Sequence, residues 1–333
     1  MQHIGREESG AAVLPVRPED ISVFTAYLSL LAGQGEQEKC RRLLGPLLDV
    51  VRALAPGERQ AIPFLAAVFR LAAENSIRTG EVSAAADLYR EGIELFPRAG
   101  ELRLGYGECL IRLCRFAAAE SVLHELAEGS ADPSAELECP GLTTYRKDTA
   151  LGELRQSQGC QEAAQDFFAS ALADNPAWIP AHIGMIETEI LKGNVGGAEQ
   201  YLAAVLERLG PDPALLLAAA ESALIAADFA KAEDWAVRLQ GELLGDDRFE
   251  YLLFKIDFFR GDRGALTRAP YLLRGETVET EAARVWLHRL NGGAHAADPR
   301  RIPEELWRDE YATLDAAWSG TASSGRPIDT RER

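Results

Sequence analysis

A period of 34 residues runs through most of this chain and limits what it can fold into. At this spacing a small residue separates two apolar, helix-forming stretches, as expected for the turn of a two-helix unit. The turn residues are Gly80, Cys114, Gly159, Gly193, Ala227 and Gly261. The step from Cys114 to Gly159 is 45 residues, one period plus 11. The sequence therefore predicts a row of similar helical units with one insertion.

A second small residue follows each turn after five positions, where the second helix would approach the first. These residues are Ala85, Ala119, Ala164, Ala198 and Ala232, with Leu266 at the last position. A two-helix unit cannot bury its apolar faces alone, so it stacks on its neighbours. Six units are predicted within residues 62–280. They span 66–99, 100–133, 145–178, 179–212, 213–246 and 247–280.

The unit at 145–178 shows the pattern most fully. Its features are Leu151-Gly152 in the first helix, Ala164, Phe168 and Ala171 along the second, and Asn175-Pro176 at the end. These residues resemble the tetratricopeptide repeat, which has the same 34-residue period. The unit departs from that repeat at Asp148 and Arg155, where Trp and Tyr are usual. The resemblance covers about two thirds of the chain and implies an all-α, right-handed α-solenoid of helix-turn-helix repeats.

The rest of the chain is predicted to frame the repeats. The expected segments are an irregular N-terminus at 1–18, a degenerate helical hairpin that caps the solenoid at 19–58, capping helices at 281–318 and a disordered tail at 319–333. Ala55-Pro56-Gly57 is typical of a chain break. The 11 extra residues lie near 128–144, where Pro133, Pro140 and Gly141 favour a surface loop. Pro270 is expected to interrupt the second helix of the last unit.

The composition of the chain narrows the range of partner classes that it could bind. The chain carries 35 basic and 52 acidic residues, a net charge of −17. This balance argues against nucleic acid and against anionic membrane surfaces, and it suits solubility or a basic partner. The five cysteines are an odd number without a paired metal spacing, so buried free thiols are expected. The N-terminal residues lack a signal-peptide pattern, and we expect a cytoplasmic protein.

Motifs for catalysis are absent or broken, so no enzyme activity, cofactor or metal is predicted. Gly105-x-Gly107 lies within a predicted helix rather than after a strand, which excludes a dinucleotide loop. His124-Glu125 begins like a zinc-protease motif, but the position of its second histidine holds Glu128. The histidines are scattered and are expected to be surface or packing residues.

The ninth position of each unit forms what we call the position-nine row. Its members are Glu74, Glu108, Glu153, Glu187, Glu221 and Lys255. In tetratricopeptide proteins this position lies on the first helix and lines a concave groove. The resemblance also places Arg146, Arg248, Tyr251 and Phe258 beside the row. It therefore implies a groove lined by carboxylates that ends in a cationic and aromatic patch.

Two interpretations of the row remain open. The glutamates could pair with arginines such as Arg70, Arg78 and Arg112 and so only solvate an exposed helix face. Alternatively, the row could bind a basic or amide-rich extended segment of a protein or peptide. The second interpretation predicts a non-catalytic interaction scaffold.

Some passages resemble the tetratricopeptide region that follows the catalytic domain of bacterial family 2 glycosyltransferases. They are Gln2-His3-Ile4-Gly5, the stretch 145–154 (YRKDTALGEL) and the stretch 246–263 (DDRFEYLLFKIDFFRGDR). In that family the first passage closes the transferase domain. This resemblance implies an alternative function, an accessory part of a glycosyltransferase system that lacks the nucleotide-sugar domain and its D-x-D motif.

Overall fold

A computed structural model describes residues 21–33, 37–61, 65–129, 139–226, 228–243 and 247–260. Over these ranges the regular structure is helical, without strands, which confirms the predicted all-α class. The helices are α1 (Ile21–Gly33), α2 (Gln37–Ala53), α3 (Pro56–Ala61), α4 (Leu65–Arg78), α5 (Val82–Leu95), α6 (Gly100–Arg112), α7 (Phe116–Gly129), α8 (Tyr145–Ser157), α9 (Gln161–Asp174), α10 (Ile179–Leu191), α11 (Val195–Leu209), α12 (Pro213–Ile225), α13 (Phe229–Leu243) and α14 (Asp247–Arg260).

From α4 onward the helices pack in pairs that repeat along the chain. The two helices of each pair contact one another, and the second helix also contacts the first helix of the next pair. In addition, each first helix contacts the next first helix, from α4 through α6, α8, α10 and α12 to α14. The chain is therefore an α-solenoid, in which one side is formed by successive first helices.

The turns inside the pairs require a left-handed backbone at one residue. Gly80, Gly159 and Gly193 adopt φ values of 78°, 77° and 78°. Glycine takes this conformation without steric conflict because it lacks Cβ. In the second pair Cys114 occupies the same position with φ 55°. Four of the predicted turn residues thus share one backbone conformation, and Cys114 adopts it against the preference of an L side chain; Ala227 and Gly261 lie outside the described residues.

The interior of the repeats forms around the small residues of the second helices. Ala85, Ala119, Ala164, Ala198 and Ala232 are each 0% exposed. Their size lets the paired helices approach closely, and larger side chains fill the space beside them. The buried residues join the pairs into apolar clusters that run along the solenoid.

The N-terminal helices extend this core. α1 and α2 both pack against α4, and Leu28, Leu47 and Val51 share one apolar cluster with Phe69. The predicted break at Ala55-Pro56-Gly57 is wrong in part, because α3 begins at Pro56. Proline is tolerated in the first turn of a helix, where its missing N–H would have no intrahelical partner.

The described edges of the insertion form more regular structure than the sequence predicts. α7 continues to Gly129, and residues 139–144 form turns that lead into α8. Leu142 is 0% exposed and packs in the same apolar cluster as Leu126. The expectation of a surface loop is therefore wrong for this end, because Leu142 supplies apolar area to the core.

Several predictions fall on residues outside the described ranges. They are the irregular segment 1–18, the second helix of the last unit with Pro270, the capping helices within 281–318 and the tail 319–333. The expectation of buried thiols holds only in part. Cys40 and Cys109 are buried, Cys114 and Cys139 are half-buried, and Cys160 is exposed.

Candidate functional site

The five glutamates of the position-nine row each lie on a first helix. Because these helices contact one another in succession, the row follows one continuous side of the solenoid. We call the surface formed by α4, α6, α8, α10 and α12 the first-helix surface. Glu187 is exposed, and the other four glutamates are half-buried.

Glu74 forms an ion pair within its own helix. The Oε1 atom of Glu74 lies 2.7 Å from Nη1 of Arg70, one helical turn earlier. This contact matches the interpretation in which the glutamates pair with nearby arginines. Arg78, expected to do the same, instead donates a hydrogen bond to the carbonyl of Ala32 at the end of α1. Glu74 is therefore ion-paired with an arginine of its own helix, whereas Arg78 binds a backbone carbonyl instead of a glutamate of the row.

Glu108 lies at the centre of a charged cluster drawn from three repeats. Burial raises the pKa of the Glu108 carboxyl above its ordinary value, and the carboxylate of Glu74 raises it further. The guanidinium groups of Arg112 and Arg146 act in the opposite direction. The net increase means that the two arginines do not fully compensate for the water that Glu108 has lost.

Arg146 is held in place by the end of the insertion and by the last residue of its own repeat. Its Nε donates to the carbonyl of Pro140 at 3.0 Å, and its guanidinium carbon lies 4.7 Å from the ring centroid of Trp178. The hydroxyl of Tyr145 donates to the same carbonyl at 2.7 Å. The indole Nε1 of Trp178 donates to Oγ1 of Thr149 at 3.0 Å. These contacts fix the guanidinium beside Glu108.

No sequence motif singles out Trp178. It lies just after Asn175-Pro176, where the repeat pattern marks only a boundary between units. The large aromatic residue next to that boundary was the available signal, since tryptophan usually buries a large area and finds a partner for its indole N–H.

The middle of the first-helix surface carries Glu153 on α8 and Glu187 on α10. Between the same two helices, the amide of Gln156 donates to Oγ1 of Thr188 at 3.2 Å. The non-consensus Arg155 turns away from this side and pairs with Glu120 of the preceding second helix at 2.5 Å. The unusual residue thus links two repeats.

The far end of the row differs from the prediction. Lys255 is 6% exposed, and its Nζ lies 3.3 Å from Oε1 of Glu221 and 4.7 Å from the ring centroid of Tyr251. Tyr251 and Phe258 are also buried. The expected open cationic and aromatic patch is therefore wrong for these three residues, because their side chains pack inside the solenoid. Arg248 lies on α14, and its side chain is outside the described part of the chain.

Within the described ranges, neither a metal site nor a membrane-spanning helix is found. No group of three or more histidine, cysteine or acidic side chains there is placed to hold a metal ion. None of the helices that the structure describes combines the length and the apolarity needed to cross a bilayer.

The fold and the first-helix surface define a class, the α-solenoid built from two-helix repeats. A family model described as tetratricopeptide repeat matches residues 76–137, which include α5, α6 and α7. The chain carries tetratricopeptide repeats, as its sequence pattern predicted. No curated protein matches the chain.

Several solved structures are similar in fold. PilF of Pseudomonas aeruginosa is 17% identical, with 70% of this chain and 96% of that chain covered and a TM-score of 0.43. PilW, described as a widely conserved type IV pilus biogenesis factor, is 17% identical, with coverage of 70% and 97% and a TM-score of 0.46. A tetratricopeptide repeat protein of Parabacteroides merdae is 14% identical, with coverage of 77% and 92% and a TM-score of 0.47.

Proposed function

We propose that this protein is a non-catalytic interaction scaffold whose first-helix surface binds a protein or extended peptide segment with basic side chains. Tetratricopeptide repeats generally mediate protein–protein contacts, and here the surface presents carboxylates at one position of five successive helices. The proposal rests chiefly on the succession of these glutamates along contacting first helices, and the raised pKa of the half-buried Glu108 supports it.

The environment of Glu108 argues against a purely solvating role. A carboxylate that only solvates a helix face stays in water and keeps its ordinary pKa. Burial instead raises the pKa of Glu108, so the ionised side chain destabilises the folded chain at neutral pH. A cationic side chain from a ligand would compensate for this loss of hydration. Residues that lower stability in this way are often retained for binding.

The spacing of the row suggests how a ligand would fit. Packed helices lie about 10 Å apart, and an extended chain in the polyproline II conformation rises about 3.1 Å per residue with every third side chain on one face. Basic side chains at every third residue of an extended segment would therefore match successive glutamates. Glu153 and Glu187, on the contacting helices α8 and α10, would face two such basic side chains.

The glycosyltransferase alternative rests on sequence passages whose residues also serve packing. The passage 145–154 lies in α8, where Leu151 and Leu154 are buried. Most of the passage 246–263 lies in α14, where Phe249 and Leu252 are buried. The passage at 2–5 is outside the described residues. Accessory function beside a glycosyltransferase thus stays a prediction, and recovery of a sugar transferase from a native-cell pull-down would favour it.

A direct binding experiment tests the scaffold proposal. The probe is a synthetic peptide with lysine at every third position, measured against the full chain by calorimetry or anisotropy at low and high salt. Replacing Glu108, Glu153 and Glu187 together by glutamine should weaken binding by roughly 10- to 100-fold, if each charge pair contributes about 0.5–1 kcal/mol. The salt dependence of the remaining binding should also become flatter.

The matched control changes three exposed glutamates on second helices. Glu94, Glu162 and Glu207 lie on α5, α9 and α11, and their replacement by glutamine alters the net charge by the same amount. Binding by this variant should stay close to that of the unaltered chain. Equal weakening by both triple variants would indicate a general charge effect and would contradict a specific surface.

A further inference from the structure

His182 is an ionisable side chain enclosed between two repeats. It lies on α10, where it is 2% exposed. Its Nδ1 atom lies 2.7 Å from the hydroxyl of Tyr201, and its Nε2 atom lies 3.0 Å from the carbonyl of Pro176 and 2.8 Å from Nη2 of Arg208. The same Nη2 atom lies 3.1 Å from the Pro176 carbonyl. The imidazole, the guanidinium and one backbone carbonyl therefore meet at a single point.

The permanent charge of Arg208 determines the tautomer of the imidazole. A guanidinium nitrogen carries only N–H donors, so at 2.8 Å the Nε2 atom of His182 must present its lone pair. The ring proton then lies on Nδ1 and donates to the hydroxyl of Tyr201. The Pro176 carbonyl accepts from Arg208. With its proton on Nδ1, neutral His182 lets Arg208 donate to both Nε2 and the Pro176 carbonyl, whereas a proton on Nε2 would donate to that carbonyl and face the guanidinium donor.

The charges around the imidazole favour the neutral form. Burial lowers the pKa of His182, and the positive charge of Arg208 lowers it further, against the opposing effect of the Pro176 carbonyl. The titratable and charged neighbours, Tyr201 and Arg208, both come from α11. The other helices that pack on α10 are α8, α9 and α12, and within the described residues they supply no further electrostatic partner of the ring.

We propose that protonation of His182 loosens the joint between the repeats 145–178 and 179–212. Pro176 lies in the turn between α9 and α10, and Arg208 ties the end of α11 to that turn. A proton taken from solvent onto Nε2 faces the guanidinium and competes with it for the Pro176 carbonyl, so Arg208 is displaced from the imidazole. Acidification therefore removes one polar tie between neighbouring repeats while the apolar contacts remain.

The direction of the stability change follows from linkage. The ordinary histidine pKa of 6.5 applies to the unfolded chain, and the pKa in the folded chain is lower. As the pH falls below about 6.5, the unfolded state binds the proton first, so stability is lost toward lower pH. At pH 7.5 both states are neutral at this side chain, and the tie is complete.

Amide hydrogen exchange of the full chain tests the proposal. Exchange is measured at pH 7.5 and pH 5.5, and each rate is divided by its intrinsic rate at that pH. In segments 174–182 and 199–209, protection at pH 5.5 should fall by up to about tenfold relative to segment 66–99, because that pH lies about one unit below the ordinary histidine pKa at which the unfolded chain takes up the proton. In His182→Gln the two segments should show no such selective loss.

A second histidine of the same chain provides the control. His124, a histidine on α7 whose side chain is 62% exposed, should behave like the unaltered protein when replaced by glutamine. Equal pH dependence in the unaltered chain and in His182→Gln would overturn the proposal.

A second variant tests the proposal if His182→Gln does not fold. In Arg208→Gln, NMR should show the His182 ring titrating at a higher pH than in the unaltered chain, because the guanidinium charge is gone. An unchanged titration would also overturn the proposal.

Discussion

The ring of Phe168 lies against the backbone of Gly184, which is on the first helix of the next repeat. A Cβ atom on Gly184 would come within 2.4 Å of Cζ of Phe168, and one on Gly152 within 2.5 Å of its Cε1. The ring is 0% exposed. One aromatic side chain thus fills the space left by two glycines, one in its own repeat and one in the following repeat.

The same two positions of the repeat also contact each other at other joints, with the larger side chain on one helix or on the other. Tyr89 of the first repeat lies against Gly105 of the second, where a Cβ would come within 2.4 Å of Cζ of the tyrosine. Between the last two units the large and small residues are reversed. Ala236 and Leu252 occupy the corresponding positions and share an apolar cluster. The joint therefore conserves total volume rather than residue type.

Gly184→Ala should lower the free energy of unfolding by about 1–3 kcal/mol, the usual range for overpacking. The ring of Phe168 cannot move away, because Gly152 bounds it on the other side. Urea denaturation measures the effect. The control is Gly196→Ala in α11, where a Cβ would meet nothing within 4 Å. That change should stabilise by up to about 1 kcal/mol, and equal destabilisation by both variants would contradict the packing argument.

Phe168→Ala should lower the free energy of unfolding by about 3–5 kcal/mol, as for other fully buried aromatic side chains. The cavity would open beside Gly152 and Gly184, where no side chain can collapse into it. Because repeat stability is a sum of neighbour terms, hydrogen exchange should increase first in α8 to α10. An unaltered urea midpoint would show that the ring contributes little to the core.

Cys114→Gly should stabilise the chain by about 1 kcal/mol. Cys114 has φ 55°, and a left-handed backbone strains a residue that carries Cβ. Glycine fits the turn, although its greater freedom in the unfolded chain offsets part of the gain. Thermal unfolding measures the change. Gly159→Ala provides the reverse test at the equivalent turn and should destabilise, whereas stabilisation by that variant would contradict the prediction.

Glu108→Gln should stabilise the chain at pH 7.5 but not at acidic pH. The pKa of Glu108 is raised above its ordinary 4.5, so the unaltered chain loses stability as the pH rises from 4.5 through the folded-state value. Glutamine cannot ionise, and the difference in urea midpoint between the two chains should shrink as the pH approaches 4.5. Glu94→Gln on α5 is the exposed control. A constant difference at all pH values would exclude burial as the cause.

The sequence determined the repeat and its period. Gly80, Gly159 and Gly193 mark the turns, and the alanines five residues later mark the close helix contacts, because backbone conformation and helix approach depend on residue size at fixed spacings. From these positions follow the class of fold, the bounds of most helices and the placement of five glutamates on successive first helices.

Only the tertiary structure decided which of these side chains meet water. Lys255 belongs to the same row as Glu187, yet Lys255 is buried against Glu221 and Tyr251 whereas Glu187 is exposed. The contacts of His182 with the Pro176 carbonyl likewise follow no pattern in the chain. The period fixes the position of a residue within its unit, but burial depends on the volumes that adjoining repeats bring to each joint, and those volumes change from one joint to the next.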